Sequence, residues 1–133
     1  MAETSRPQGV LHFPEGLPGF EQLTDFLLLE EEELRPIVFL QSLSEPPVCL
    51  PAVPAEQVHP GYSLELAEDD RRVLGLAPEA PPHLLCLVIL HLGDGSQPVT
   101  ANLLAPIVVN LGNWTARQVI QIHSPYSTLA EVS

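Results

Sequence analysis

The chain has 133 residues, a length that fits one folded domain with a single hydrophobic core. Its 17 acidic residues face five arginines, lysine is absent, and the formal net charge is −12. Nucleic acid is a poor partner for such a chain, because phosphate binding depends on lysine and arginine. The charge suits a basic protein partner, although acidity can equally serve solubility alone.

The acidic charge is concentrated in the first part of the chain. Residues 1–79 hold 15 of the 17 acidic residues and four of the five arginines. The remaining residues are nearly neutral and strongly apolar. This separation predicts an acidic face that is distinct from the core-forming strands.

The sequence shows no sign of secretion or membrane insertion. Cys49 and Cys86 each lie within an apolar run, which predicts two buried thiols instead of a disulfide. No apolar stretch reaches the roughly 18–20 residues that cross a bilayer, and a basic leader before an apolar region is missing. We therefore expect a cytoplasmic protein with one domain over residues 1–133, of which residues 1–8 are disordered or loosely attached.

Fifteen prolines divide the chain into short segments and leave no room for a long helix. The apolar runs between them have the length of β-strands, and turn signals separate them. They cover residues 10–13, 26–29, 37–41, 48–50, 62–66, 84–92, 107–109 and 119–122. About eight short strands predict an all-β barrel or sandwich.

Three further local patterns refine this prediction. Residues 84–92 are apolar almost throughout, which predicts a central strand covered on both faces. The Gly-Asp-Gly-Ser stretch at 93–96 predicts a hairpin turn. Residues 54–58 and 68–72 predict two short helical turns, the second with acidic residues before basic ones as the helix dipole favours.

The usual catalytic and metal-binding motifs are missing from the sequence. It contains no Gly-rich phosphate loop, no Gly-x-Ser-x-Gly turn and no His or Cys pair at metal-ligand spacing. The five histidines are dispersed along the chain, and an enzyme would need His59, His83 or His123 to meet acidic residues in a cleft. We therefore predict no catalytic residue, no cofactor and no metal.

Two segments in the first part of the chain are candidate contact surfaces. The acidic run Glu30, Glu31, Glu32 and Glu33 indicates either a solvated turn or an electrostatic patch for a basic partner. The loop at 13–20 contains two glycines and two prolines, so it should be tight and specific, with Phe13 and Phe20 packed beneath it. Its Leu17, between Gly and Pro, has the pattern of an exposed contact residue.

The segment 100–110 reads Thr-Ala-Asn-Leu-Leu-Ala-Pro-Ile-Val-Val-Asn, a strand-like run interrupted by Asn102, Ala105 and Pro106. A proline within such a run predicts an edge, a bend or a bulge. Asn102 and Asn110 can hydrogen-bond to nearby backbone groups and stabilise a bend. A bent edge would also be a natural docking line for another chain.

The segments 13–20, 40–42 and 100–110, followed by Gln118-Val119 and Tyr126, resemble the FliW family of flagellar assembly factors. These blocks occur in the family's order and span residues 9–130, and the block 100–110 is the most specific. The resemblance implies a small antiparallel β-barrel of about eight strands that catalyses nothing. It also implies binding of the translational repressor CsrA and, in competition, of newly made flagellin.

The resemblance implies a mechanism that the composition fits. Bound beside the RNA-binding surface of CsrA, an acidic protein would exclude RNA both by its volume and by its charge. The candidate partner-binding residues are Leu17, Glu30, Glu31, Glu32, Glu33, Gln41, Asn102, Asn110 and Gln118. For Phe13, Phe20, Leu103 and Ile107 we expect core positions.

The sequence departs from the family pattern at both ends. The stretch before Phe13 is short, which predicts either a more exposed barrel edge or a slightly altered strand order, and the chain ends soon after Tyr126. The alternative to a protein-binding regulator is a barrel that binds a small apolar ligand, since β-barrels often hold one at their mouth. A packed interior would count against that alternative.

Overall fold

The structure is a computed structural model and describes residues 9–77, 82–93, 95–122 and 125–132. The strands in these residues are β1 (Val10–His12), β2 (Asp25–Glu30), β3 (Val38–Ser42), β4 (Cys49–Pro54), β5 (Leu84–His91), β6 (Thr100–Ala101), β7 (Ile107–Asn110), β8 (Thr115–Gln118) and β9 (Ala130–Glu131). The helices are α1 (Ala55–Val58) and α2 (Glu68–Leu74), and a 3₁₀ turn covers Glu32–Leu34. The segment 1–8, for which we expect disorder, lies outside the described residues.

Seven of the strands close into a barrel, in the order β1-β2-β3-β4-β5-β7-β8. The β4–β5 pairing and the β1–β8 pairing complete the circle, and the second of these is parallel. The predicted small β-barrel is therefore confirmed, although its strand arrangement is mixed instead of purely antiparallel. β1 pairs on both sides, so the edge that the short N-terminal stretch predicted is not exposed within the barrel.

β5 is the central strand that its apolar sequence predicts. It pairs with β4 and β7 in the barrel and also with β6, which lies outside the ring of seven. β5 and β6 run antiparallel, as the hairpin predicted at 93–96 requires. Asp94, in the predicted turn of that hairpin, lies outside the described residues. β9 then pairs with the other side of β6, so a small two-strand extension is attached to the barrel.

Side chains fill the interior of the barrel. Phe13 and Phe26 meet edge to face with their ring centroids 5.3 Å apart, and both are fully buried. Leu11, Leu40 and Ile107 pack in the same core cluster. Because this interior is occupied by the protein's own side chains, it counts against the barrel that binds a small apolar ligand.

Two predicted strands are wrong. Residues 62–66 are irregular, because the alternation of Tyr62, Leu64 and Leu66 reflects packing on the core without a backbone ladder. The last barrel strand, β8, ends at Gln118, so residues 119–122 lie beyond it. The predicted helical turns are confirmed by α1 and α2.

The two cysteines differ in their surroundings. Both are free thiols, as the sequence predicts, but Cys49 is exposed at the start of β4. The prediction of a buried Cys49 is therefore wrong, because Cys49 is the exposed first residue of its strand, while the next residue, Leu50, packs on the core. Cys86, within β5, is partly covered and packs against two core clusters.

Candidate functional site

The segment 100–110 forms a bend between β6 and β7, as its proline and asparagines predict. The Asn102 side-chain oxygen accepts hydrogen bonds from the backbone N–H groups of Leu104 and Ala105, each at 3.1 Å. The Gln118 side-chain amide donates to the carbonyl of Ala105 at 3.0 Å. Two of the predicted site residues therefore hold the same turn of backbone in place.

The loop 13–20 closes on itself through backbone hydrogen bonds. The Gly16 N–H donates to the carbonyl of Phe13 at 2.9 Å, and the Phe20 N–H donates to that of Leu17 at 2.7 Å. Gly16 adopts a φ of 69°, and a β-carbon there would clash with the backbone of Glu21, so glycine is required. Leu17 is only 5% exposed, and its predicted exposure is wrong because the tight turn directs its side chain into the core.

The bend and the loop meet at one surface cleft of about 410 Å³, which we call the motif cleft. Three predicted site residues, Leu17, Asn102 and Gln118, line it. The other lining residues come mainly from β5 and from the C-terminal residues; they are Pro18, Phe20, Leu50, Ile89, Leu90, His91, Ile107, Thr128 and Leu129. The most specific sequence blocks therefore converge on one mostly apolar surface.

Sequence reasoning missed several lining residues of the motif cleft. His91 and Leu129 are exposed and line it, yet neither belongs to a distinctive sequence block. Leu129 arrives there only through the pairing of β9 with β6. No local pattern could have placed it beside Leu17.

Two other predicted site residues lie away from the motif cleft. Asn110 is only 8% exposed; its amide donates to the carbonyl of Leu74 at 2.7 Å, and its oxygen accepts from the Gly112 N–H at 2.9 Å. Asn110 thus joins the end of α2 to the turn after β7, which is a structural position. Gln41 is half-buried in β3, between its partners Leu27 and Cys49.

The predicted acidic run occupies the end of β2 and the 3₁₀ turn that follows it. Glu30, Glu31, Glu32 and Glu33 are all exposed. Within the described part of the chain, no arginine or histidine forms an ion pair with any of them. The run is therefore a solvated patch of negative charge, separate from the motif cleft.

A second group of acidic residues is neutralised, in contrast to this run. Arg117 of β8 lies 3.1 Å from Glu15, 3.0 Å from Asp69 and 3.1 Å from Asp70. Hydrogen bonds from Arg72 and then from Arg117 lower the pKa of Asp69. These contacts fix α2 against β8, whereas the acidic run has no arginine partner among the described residues.

His59 and His83, the two described histidines that an enzyme would need, form no ion pair with a described acidic residue. Burial, with a smaller contribution from Glu56, raises the pKa of the Cys86 thiol to about 12, so this thiol stays protonated and unreactive. His59 packs against Tyr62 and Tyr126, while His123 lies outside the described residues. Among the residues that the structure describes, no three His, Cys, Asp or Glu side chains are grouped to hold a metal.

Neither described helix has the length and apolar character that crossing a bilayer would demand.

Comparisons with known proteins agree with the arrangement of these blocks. The family described as FliW protein matches residues 2–132. The flagellar assembly factor FliW of Caldanaerobacter subterraneus subsp. tengcongensis is 36% identical over 120 residues, covering 90% of this chain and 79% of that protein. Its counterpart in Pseudothermotoga lettingae is 38% identical over 122 residues, covering 92% and 77%.

A solved structure shows the same fold. A crystal structure of the flagellar assembly factor FliW superposes with a TM-score of 0.84 at 27% sequence identity, and covers 98% of this chain and 90% of its own. Its fold agrees with the closed barrel of this chain. The chain therefore belongs to the FliW family, a family of flagellar assembly factors and not of enzymes.

Proposed function

We propose that this protein binds a CsrA-type translational repressor and thereby keeps RNA from the repressor, and that flagellin competes for the protein. The observation that carries the proposal is the exposed acidic run Glu30 to Glu33, which no described cation neutralises. A repressor that binds RNA must present a basic surface. A patch of four carboxylates is complementary to such a surface and repels the phosphates that compete for it.

The rest of the molecule supports the same proposal. Its net charge of −12 makes direct binding of RNA unfavourable, so the protein would act on the repressor and not on the message. The mechanism is partly steric and partly electrostatic, because the docked protein occupies space next to the RNA site. We place this encounter in the cytoplasm, where a repressor meets messenger RNA.

Calorimetric titration of the repressor with four-site variants tests the electrostatic part. We expect the E30Q/E31Q/E32Q/E33Q variant to bind the repressor roughly 10-fold more weakly, equivalent to about 1.4 kcal/mol. A matched control removes the same number of charges from exposed positions elsewhere, with the substitutions E21Q, E45Q, E56Q and E65Q. Raising NaCl from roughly 0.1 M to 1 M should weaken the wild type more than the first variant, since the Debye length falls from about 10 Å to about 3 Å.

The possible outcomes separate the parts of the proposal. Equal weakening by both variants would mean that only the total charge matters, and no weakening by either would remove the electrostatic mechanism. RNA release from the repressor, followed with a fluorescent RNA, should track the binding affinity. If the wild-type protein bound neither the repressor nor flagellin, the proposed function would be wrong, while the family assignment would stand.

A further inference from the structure

The last described residues, 125–132, pass through a turn at 128–129 into β9, and we call this segment the C-terminal strap. Its strand β9 pairs with β6 through only two residue pairs, Thr100 with Glu131 and Ala101 with Ala130. Two flanking backbone hydrogen bonds, each 2.9 Å long, join Val132 to Val99 and Leu103 to Ser127. The strap is thus held on the barrel by a very short ladder.

The strap divides a larger groove into two. Leu129 lines the motif cleft on one side and a second cleft of about 430 Å³ on the other, and His91 also lines both. Although apolar, the Leu129 residue is 63% exposed on this ridge. Removal of the strap would join the two clefts and expose the free edge of β6 along the joined groove.

One buried polar atom of β6, beneath the strap, lacks a hydrogen bond to any described residue. The hydroxyl oxygen of Thr100 is buried and has no hydrogen-bond partner among the described residues. Native proteins pair nearly all buried polar atoms, so an unpaired one beneath an exchangeable strand points to an incomplete arrangement. A different strand on β6 could supply the missing partner.

The strap has one strong anchor. The ring of Tyr126 stacks on Tyr62 with centroids 4.4 Å apart, and its hydroxyl accepts a hydrogen bond from the Ser63 N–H at 2.8 Å. Beyond this anchor, Ala130 and Val132 pack against the core cluster that contains Val88 and Leu103. Leu129 faces solvent. Displacement of β9 would therefore break only its short ladder and the packing of the Ala130 and Val132 side chains, while Tyr126 remains in place.

We propose that an extended, apolar segment of flagellin displaces the C-terminal strap, pairs with β6 and fills the joined groove. The inference rests on the proposed function, from which it takes its partner. Of the two proposed partners, the basic repressor suits the acidic run, whereas this groove is mostly apolar and carries no comparable charge. The strap shows what β6 accepts, namely a short extended segment whose alternate residues, here the small apolar Ala130 and Val132, pack on the core.

A reversible cross-link between β6 and β9 tests the displacement. The Val132 N–H donates to Val99, so Thr100 and Glu131 form the next, non-hydrogen-bonded pair, whose Cα atoms lie about 4.5 Å apart. This separation is within the range of disulfides, roughly 4.4–6.8 Å. The test protein carries T100C and E131C in a background that removes both natural thiols with C49S and C86A.

The cross-linked protein is its own control, since oxidised and reduced forms have the same sequence. We expect the reduced form to bind purified flagellin like the cysteine-free background, and the oxidised form to bind at least roughly 10-fold more weakly. Equal binding by both forms would overturn the strap inference and leave the proposed function intact. If the wild-type chain bound neither flagellin nor the repressor, the proposed function would fail and the strap inference with it.

Hydrogen exchange in the wild-type chain decides the matter even if the cysteine variant does not fold. We expect the Val132 amide to exchange roughly 100-fold faster than the amides of β7, because the strap opens without global unfolding. Addition of flagellin should accelerate exchange in the strap and slow it in β6. Strap amides that exchange only with the whole barrel, or that are slowed by flagellin, would contradict the inference.

Discussion

At the scale of single residues, the Gln121 side chain makes hydrogen bonds to the Glu65 backbone that a neighbouring strand would otherwise make. Its side-chain oxygen accepts from the Glu65 N–H at 2.8 Å, and its side-chain nitrogen donates to the Glu65 carbonyl at 2.9 Å. The amide thus makes both hydrogen bonds that a neighbouring peptide group would make. Only 1% of Gln121 is exposed, so these bonds lie at the protected edge of the core.

The first prediction concerns this amide. We expect Q121L to lower the free energy of unfolding by about 1–3 kcal/mol, because a leucine leaves the Glu65 backbone without its partners. Urea denaturation measures the loss. The matched control is Q22L at an exposed position, which should change stability by less than about 0.5 kcal/mol. Equal stability of the two variants would show that the paired hydrogen bonds contribute nothing net.

Single residues were predictable from the sequence when their partners lie nearby in the chain. The bonds of Asn102 reach only two and three residues ahead, so the asparagine in a proline-broken run indicates them. Asn110 looks similar in sequence, yet its amide bonds to Leu74, 36 positions away. No local sequence pattern indicates such a distant partner.

At the scale of elements, α2 is fixed to the barrel by charge as well as by packing. Leu74 is fully buried against Val108 and Val119, while Arg117 of β8 reaches both Asp69 and Asp70. The Arg117 side chain is only 20% exposed, whereas that of Arg72, which pairs with Asp69 alone, is 73% exposed. Two arginines on the same carboxylate therefore differ in how strongly water screens them.

The second prediction compares these arginines. We expect R117M to destabilise the protein by about 1–2 kcal/mol at neutral pH and R72M by less, because the more exposed pair is better screened. Thermal denaturation of both variants checks the order. The reverse order would show that the part-buried contacts of Arg117 do not hold α2 in place.

The loss of stability caused by R117M should depend on pH. The pKa of Asp69 is lower in the folded protein than its ordinary value of 3.8, so its stabilisation is present above that value and is lost as pH falls through the folded pKa. The stability difference between wild type and R117M should therefore narrow below about pH 4. A difference that stayed constant down to pH 2 would assign the effect to packing of the arginine's methylenes.

A strand could be predicted from the sequence where its apolar composition alone determines that it is buried. β5 could be predicted because an apolar run of its length has to be covered on both faces. The irregular segment 62–66 has an equally clear alternation, but the Glu65 backbone bonds to the Gln121 side chain and the Ser63 N–H to the Tyr126 hydroxyl, not to a strand. Alternation reports which side chains are buried, and it does not report what the backbone binds.

At the scale of the whole molecule, the charge distribution works against folding. The four carboxylates of the acidic run are exposed and adjacent, and the net charge of −12 adds general repulsion. Within the described residues, the ion pairs involve other acidic side chains. The run therefore has no visible stabilising role in the barrel.

The third prediction follows from this repulsion. We expect the E30Q/E31Q/E32Q/E33Q variant to be as stable as the wild type or more stable by up to about 1 kcal/mol, with the gain shrinking at high salt. Urea denaturation at low and high NaCl measures it. Stability would then rise while repressor binding falls, which separates the two properties. A variant that unfolds more easily would instead give the run a structural role.

The parallel contact between β1 and β8 has a consequence for how the protein is made. It joins His12 to Thr115, so the ring can close only after β8 has been synthesised. A nascent or truncated chain that ends before Thr115 therefore cannot close the barrel, and its β1 keeps an unpaired edge that can pair with another chain.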